Sequence, residues 1–448
     1  MQANERVLSK SGRRWFWSAL AVLMAAAALI HFSRRRPDRI ADSPAPISHA
    51  FRDKSADSDW IAFHDGGPLL GVASALRAPP MKLRWKFRID DDDEPSPMPA
   101  TRVAASPLTR PAAAPTTGPA TVPSAVASIG PAYHQAGHFE GAAAIVDGVV
   151  YVADTAGAVR AIDAVTGKRI WIYQSDDGFE TSPLVLDGRV LLGDLGGLFH
   201  AISAQTGKKI WTFDSGSPIH SSANFFGKDR ARIVFGNDGA DIFCLNADTG
   251  KQVWTQKAGD RINGCPAVAN GTALISGCDS QLRALKEKDG AEEYSFDLGA
   301  LCPGSAAVAG DRMVMGADQG RVLCISAKTH QQLWLFTAPA QEMVYSSPAI
   351  ADGIVVFGAR DRLVYGLDLT TGKQLWSYPT RGEVDSSPLI SSGRVYIASK
   401  DKKLYVLDLK TGRELWSFTA GRGITATPAI GDGALVIGDS GGNLFCLE

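Results

Sequence analysis

From Gly137 onward, apolar residues come in short alternating runs rather than in helical stripes. In the stretch Ser386 to Phe418, two such runs are Val395-Tyr396-Ile397 and Leu404-Tyr405-Val406-Leu407. They are separated by Ser392-Gly393, by Lys400 to Lys403 and by Lys410 to Gly412. Runs of about 4 to 6 residues, rich in β-branched and aromatic side chains and bounded by turn formers, predict strands joined by hairpins. No window sustains a period of 3.6 residues, so helices are not expected in this part of the chain.

The pattern restates itself. The phrase "AIDAVTGKRIW" ends at Trp171 and returns as "AISAQTGKKIW" at Trp211, "CLNADTGKQVW" at Trp254, "ALKEKDGAEEY" at Tyr294, "CISAKTHQQLW" at Trp334, "GLDLTTGKQLW" at Trp376 and "VLDLKTGRELW" at Trp416. A step of about 40 residues belongs to propeller blades or to helical arrays, and the strand signal selects the propeller. Glycine in the Thr-Gly pair supplies the positive φ of a tight connection, and the threonine hydroxyl can bond neighbouring backbone. The tryptophan buries its ring against the next blade and needs one acceptor for its indole N–H.

The C-terminal "GNLFCLE" (Gly442 to Glu448) matches a third strand with no Thr-Gly turn or Trp strand after it, and "KLRWKF" around Trp85 supplies the missing strand. Trp85, Trp171, Trp211, Trp254, Tyr294, Trp334, Trp376 and Trp416 then mark eight outer strands. The expectation is an all-β, eight-bladed propeller of four-stranded antiparallel blades, closed by the N-terminal strand. Tyr294 in place of Trp, and His330 in place of the turn glycine, read as tolerated drift.

Residues 90–137, rich in Pro, Ala, Ser and Thr, cannot bury enough apolar surface to offset chain entropy and read as a disordered insertion inside the propeller domain, 59–448. Residues 33–58 read as a polar linker. "WFWSALAVLMAAAALIHF", residues 15–32, is uncharged and long enough to cross a bilayer, which predicts an N-terminal transmembrane helix or a signal, behind a basic cytoplasmic flank, 1–14. Basic clusters stand on both sides of it, and the one directly behind it argues for an uncleaved anchor. The propeller would then lie on the extracytoplasmic, periplasmic side. With 46 basic and 47 acidic residues and a net charge of -1, nothing favours nucleic acid.

The A-x-D-x-x-T-G-x-x-x-W phrase and the "SSP" at the head of blades (Ser346 to Pro348, Ser386 to Pro388) resemble the PQQ-binding-like β-propeller repeat family. That family includes quinoprotein dehydrogenases and an outer-membrane assembly factor. The segment Asp59 to Phe87 is similar to the lead-in of the assembly-factor branch. The resemblance implies two functions. One is a non-catalytic, membrane-tethered scaffold without cofactor, whose partners are other envelope proteins or a protein complex. The other is a PQQ-dependent oxidoreductase with calcium in the central channel. Aligned on "SSP", the channel mouth holds Glu140, Glu180, His220, Asn263, Tyr345, Asp385 and Thr425, with Arg261 and Cys302 nearby. This ring reads either as a cofactor site or as a solvated polar rim.

Cys244, Cys324 and Cys446 fall where other blades carry Ala161 and Ala201, a small buried position. Cys265, Cys278 and Cys302 leave three arrangements open: a Cys265–Cys278 disulfide, a Cys265–Cys302 disulfide, or three free thiols.

Overall fold

The computed structural model describes residues 69, 71–73, 76, 78–92, 137–227 and 229–448. The expected linker, membrane segment and cytoplasmic flank lie outside these residues, and no helix among the described residues is long and apolar enough to cross a membrane.

The inner strands are buried almost continuously and the outer strand of each blade alternates between buried and exposed, as in Val149–Ala153 and Arg169–Gln174, and the chain forms eight four-stranded antiparallel sheets. Blades 1 to 7 run consecutively, from the inner strands Ala144–Val146 (blade 1), Leu184–Leu186, Asn224–Phe226, Ala267–Ala269, Ala307–Ala309, Ala349–Ala351 and Leu389–Ser391 (blade 7) out to strands that carry the repeated aromatic. Blade 8 joins Ala429–Gly431, Ala434–Gly438 and Asn443–Leu447 to Leu83–Arg88, with Trp85 opposite Cys446. Two further backbone bonds, Lys82 N–H to Glu448 O at 2.8 Å and Glu448 N–H to Lys82 O at 2.9 Å, complete the closure. Inner strands of neighbouring blades adjoin one another around a central channel.

The outer rim explains the repeated phrase. Each repeated aromatic pairs with a small or medium third-strand residue, such as Ala161, Cys244, Cys324 or Gly366, beside a register shift. The indole N–H groups of Trp85, Trp171, Trp254 and Trp376 donate to carbonyls in the next blade, those of Ala164, Ala204, Glu287 and Leu409, at 2.8–2.9 Å. The ring lies on the next blade's turn glycine so closely that a Cβ on Gly167 would come within 2.7 Å of Trp85, and one on Gly412 within 2.5 Å of Trp376. Glycine is thus required twice, by its positive φ and by the indole above it. The threonine hydroxyl donates to the aspartate at the head of the turn, Thr166 to Asp163 at 2.8 Å and Thr411 to Asp408 at 2.7 Å. Hydrogen bonds from Thr371 and Thr411 hold the Asp368 and Asp408 carboxyls below their ordinary range.

Two departures from the repeat turn out to be one joint. Tyr294 of blade 4 faces the turn of blade 5, where His330 stands at φ 56° in place of glycine, and the two rings stack at 3.6 Å. A smaller aromatic leaves room for an imidazole, so the drift expected at each position separately is a matched substitution.

The insertion is shorter than the 90–137 read from composition, because Ile89–Asp92 forms a 3-10 turn that continues the closing strand. Its two ends flank Gly442: Ile89 N–H donates to Gly442 O at 3.0 Å, and a Cβ on Gly442 would meet Gly137 O at 2.8 Å. Both described ends therefore lie on one face of the ring.

The lead-in to the closing strand enters the channel. Ile390 N–H donates to Gly71 O at 2.7 Å and Ala73 N–H to Ile390 O at 2.9 Å, giving a parallel bridge from Val72 to Ile390. The other edge of Leu389–Ser391 is occupied by Arg394–Ser399, so these bonds lie on its channel edge. Leu69 is fully buried in a cluster with Cys265, Ala267 and Ala306 of blades 4 and 5, across the ring. Leu76 and Met81 then join the core of blades 7, 8 and 1.

Candidate functional site

Side chains gather at one mouth of the channel in three tiers, two of them brought there by the segment that precedes each inner strand. The deepest tier is a belt of hydroxyls that bind one blade to the next. Ser182 Oγ accepts the Ala142 N–H at 2.9 Å, Ser222 Oγ that of Ser182 at 2.9 Å, and Ser305 Oγ that of Cys265 at 2.8 Å. Ser347 Oγ accepts from Ser305 at 3.0 Å, Ser387 Oγ from Ser347 at 2.9 Å and Thr427 Oγ1 from Ser387 at 3.2 Å. The belt carries no hydroxyl at Ala142 and Cys265.

Above it stands the ring expected from sequence. Glu140, Glu180, His220, Asn263 and Tyr345 line a cavity of about 170 Å³ over the belt, whereas Asp385 and Thr425 are not part of its wall. The third tier was missed, because it comes from the hairpin after each second strand: Thr155, Asp238, Arg360 and Lys400 are four of its members. The signal lay at a fixed offset from the second strand, outside the alignment on "SSP".

The upper two tiers form unlike sectors. In blades 1 to 3, His138 Nε2 lies 2.9 Å from Glu140 and its Nδ1 2.9 Å from the Thr155 hydroxyl. His220 lies 3.4 Å from Glu180 and 3.0 Å from Asp238. In blades 6 and 7, Arg360 forks onto Asp385 at 2.9 and 3.0 Å, Lys400 reaches Asp385 at 2.7 Å and Glu383 at 2.8 Å, and the Arg360 guanidinium sits 3.9 Å over the Tyr345 ring. Burial alone would raise the Asp385 carboxyl, but hydrogen bonds and charge from Arg360 and Lys400 outweigh it and hold the group below its usual range. Between these sectors, blades 4 and 5 contribute Pro303, exposed Leu301 and half-buried Cys278. Asn263 Oδ1 is buried and has no partner among the described residues.

All six cysteines are free thiols. Burial pushes Cys244, Cys302, Cys324 and Cys446 up to about 12, the behaviour of inert packing thiols.

The family model described as outer membrane protein assembly factor BamB matches residues 116–224, 196–343 and 319–448, well over half of the chain. The chain belongs to this BamB-like family of PQQ-repeat propellers. Among curated proteins, assembly factor BamB of Nitrosomonas eutropha is 29% identical over 113 residues, 25% of this chain and 27% of that protein. The aligned part is thus about a quarter of that relative. Among solved structures, BamB of Moraxella catarrhalis superposes with a TM-score of 0.59 at 16% identity, covering 68% of this chain and 94% of that one. The quinohemoprotein alcohol dehydrogenase of Comamonas testosteroni gives 0.67 at 13% identity, covering 88% and 81%. At such identities the likeness concerns the fold alone.

The second function implied by the repeat resemblance, a PQQ-dependent oxidoreductase, would place calcium and the quinone at this mouth. Calcium wants several hard oxygens converging on one point. Here Asp385 is engaged by two cations, and Glu140 and Glu180 are each turned to a histidine on the mouth. Among the described residues no three of His, Cys, Asp or Glu are grouped to hold a metal ion. Below the belt, Leu69 and residues 71–73 take up the channel. The residues present do not fit the calcium–quinone pair.

Proposed function

We propose that this protein is a non-catalytic propeller, tethered to the membrane through residues 15–32, which serves on the extracytoplasmic side as a protein-binding scaffold in envelope or outer-membrane protein assembly. One observation carries the reading: at the mouth, where a cofactor would sit, Asp385 is engaged by Arg360 and Lys400 while Glu140 and Glu180 are each turned to a histidine, and below the belt the chain's own lead-in makes two backbone hydrogen bonds to Ile390. What remains for partners is the rigid display of mouth and loops, held in place by the hydroxyl belt and the rim tryptophans. The role for which the BamB relative is named, outer membrane protein assembly, supports the choice of partner class.

The rival reading is a PQQ-dependent oxidoreductase, favoured by the shared fold of the quinohemoprotein dehydrogenase. A titration of the purified protein with PQQ and calcium, followed by absorbance and by dye reduction with alcohols, separates the two. The scaffold reading expects neither stoichiometric binding nor turnover; turnover with bound quinone would replace it by the rival.

A further inference from the structure

The channel edge of blade 7 behaves as a strand acceptor. An inner strand has one edge paired within its blade and one edge of unpaired N–H and C=O groups facing the channel. Only at Leu389–Ser391 do the described residues show such an edge receiving another strand, the segment 71–73. The choice of blade is written in Ser391, which is fully buried and whose Oγ accepts the Leu76 N–H at 3.3 Å. The counterparts of Ser391 in the other blades, from Val146 to Gly431, are all apolar or glycine. The opposite wall provides an apolar seat at Cys265, Ala267 and Ala306, where Leu69 is buried.

Two features make the visiting strand separable from the ring. The segment contributes few bonds to the site, two from the backbone and one to Ser391. Its composition is also generic, Leu69-Leu70-Gly71-Val72-Ala73, with a leucine for the seat and only glycine, valine and alanine along the edge. Strand addition draws affinity from main-chain hydrogen bonds, and alternate side chains give specificity.

We propose that the channel edge of blade 7 is a binding site for an extended peptide strand with a leucine for the apolar seat and short glycine, alanine or valine residues along the edge, and that Leu69 and residues 71–73 are its resident occupant in cis. This rests on the scaffold reading and names its mode: a partner strand of the same chemistry takes the site when the lead-in is withdrawn. Tethering gives the resident an effective concentration of order millimolar, so it excludes weaker strands in the resting protein.

The test uses the full chain and, as probe, a fluorescent synthetic peptide copying residues 67–78. In the variant L69D/A73P, which removes the apolar anchor and one donated N–H, the peptide is expected to bind at least tenfold more tightly than to the wild type. A peptide with aspartate at the Leu69 position is expected not to bind. A second variant, V72C/I390C, keeps the lead-in intact and guards against misfolding of the first: reduced, it should admit the peptide at high concentration, and oxidised to the disulfide it should admit none. A folded L69D/A73P chain that ignores the peptide, wild type binding equally well, or oxidised V72C/I390C still binding it would each overturn the proposal. Concentration-dependent dimers of L69D/A73P that the peptide dissolves would name a second copy as the strand donor and support it. None of these outcomes bears on quinone turnover, so the scaffold reading stands or falls separately.

Discussion

The outer rim and the channel mouth of this ring are built on the same eightfold repeat and use it in opposite ways. At the rim the joint is nearly the same each time: indole on turn glycine, indole N–H on a carbonyl of the next blade. At the mouth, neighbouring blades present Glu180, His220, Asn263 and Tyr345 at one structural position, and their partners change with them. Repetition is kept where the demand is the same at every blade, namely sealing one sheet to the next. It is abandoned where the surface meets something other than another blade.

The largest test of this contrast is at the seam. Trp85 is buried, bonds Ala164 and covers Gly167, whereas Trp416 is half-buried, and in blade 8 the paired ends Lys82 and Glu448 stand where other blades carry the turn. Trp85→Ala is expected to cost about 3–5 kcal/mol and Trp416→Ala clearly less. Chemical denaturation of the two variants checks this; equal losses would mean that the joint geometry does not set rim stability.

A middle-sized effect is expected where the rim breaks its own rule. Tyr294→Trp alone forces a larger ring against the His330 imidazole and should destabilise by about 1–3 kcal/mol. His330→Gly alone gives up a stack of about 0.5–1.5 kcal/mol while relieving positive φ. Together they rebuild the ordinary joint, so a double-mutant cycle should show a coupling of roughly 1 kcal/mol or more in favour of the pair. Additive values would return both residues to unrelated drift.

The smallest effect belongs to the mouth and to pH. The Asp385 carboxyl titrates lower in the folded protein than in the unfolded chain, so its contribution is fully present above the unfolded value near about 4 and is lost as pH falls through the folded one. Because the pair is partly exposed, the loss should stay within about 1 kcal/mol. Urea midpoints of wild type and Asp385→Asn, compared between neutral and strongly acid pH, should converge as pH drops; a constant gap would remove Asp385 from the acid response.

The period, the strand class, the closing partnership of Trp85 with the C-terminal strand and the small buried position of the third strand at Ala161, Ala201, Cys244, Cys324 and Cys446 were all legible in the chain, because each is imposed by local chemistry repeated many times. The mouth was half legible. Aligning on "SSP" finds Glu140, Glu180 and His220, because they precede the inner strand at a constant distance. The same alignment conceals Arg360 and Lys400, which reach Asp385 from a different hairpin. Serines read as a strand-head marker proved to be the hydroxyl belt, whose bonds cross blades and so leave no trace in one blade's pattern. The lead-in's entry into the channel depends on a single bridge to Ile390, and no repeat announces it.

The hairpin turns opposite the mouth carry a last consequence. Asp147-Gly148, Asp187-Gly188, Asn270-Gly271, Asp352-Gly353, Ser392-Gly393 and Asp432-Gly433 share one positive-φ conformation and much the same chemistry, spaced around the disc. A molecule resting on that side would find almost the same footing at six of the eight blades, blades 3 and 5 being turned differently, and would have little to tell those six settings apart. A partner that must sit in a single orientation finds far stronger bearings on the other side, where the ends of the insertion and the unlike sectors break the wheel's symmetry.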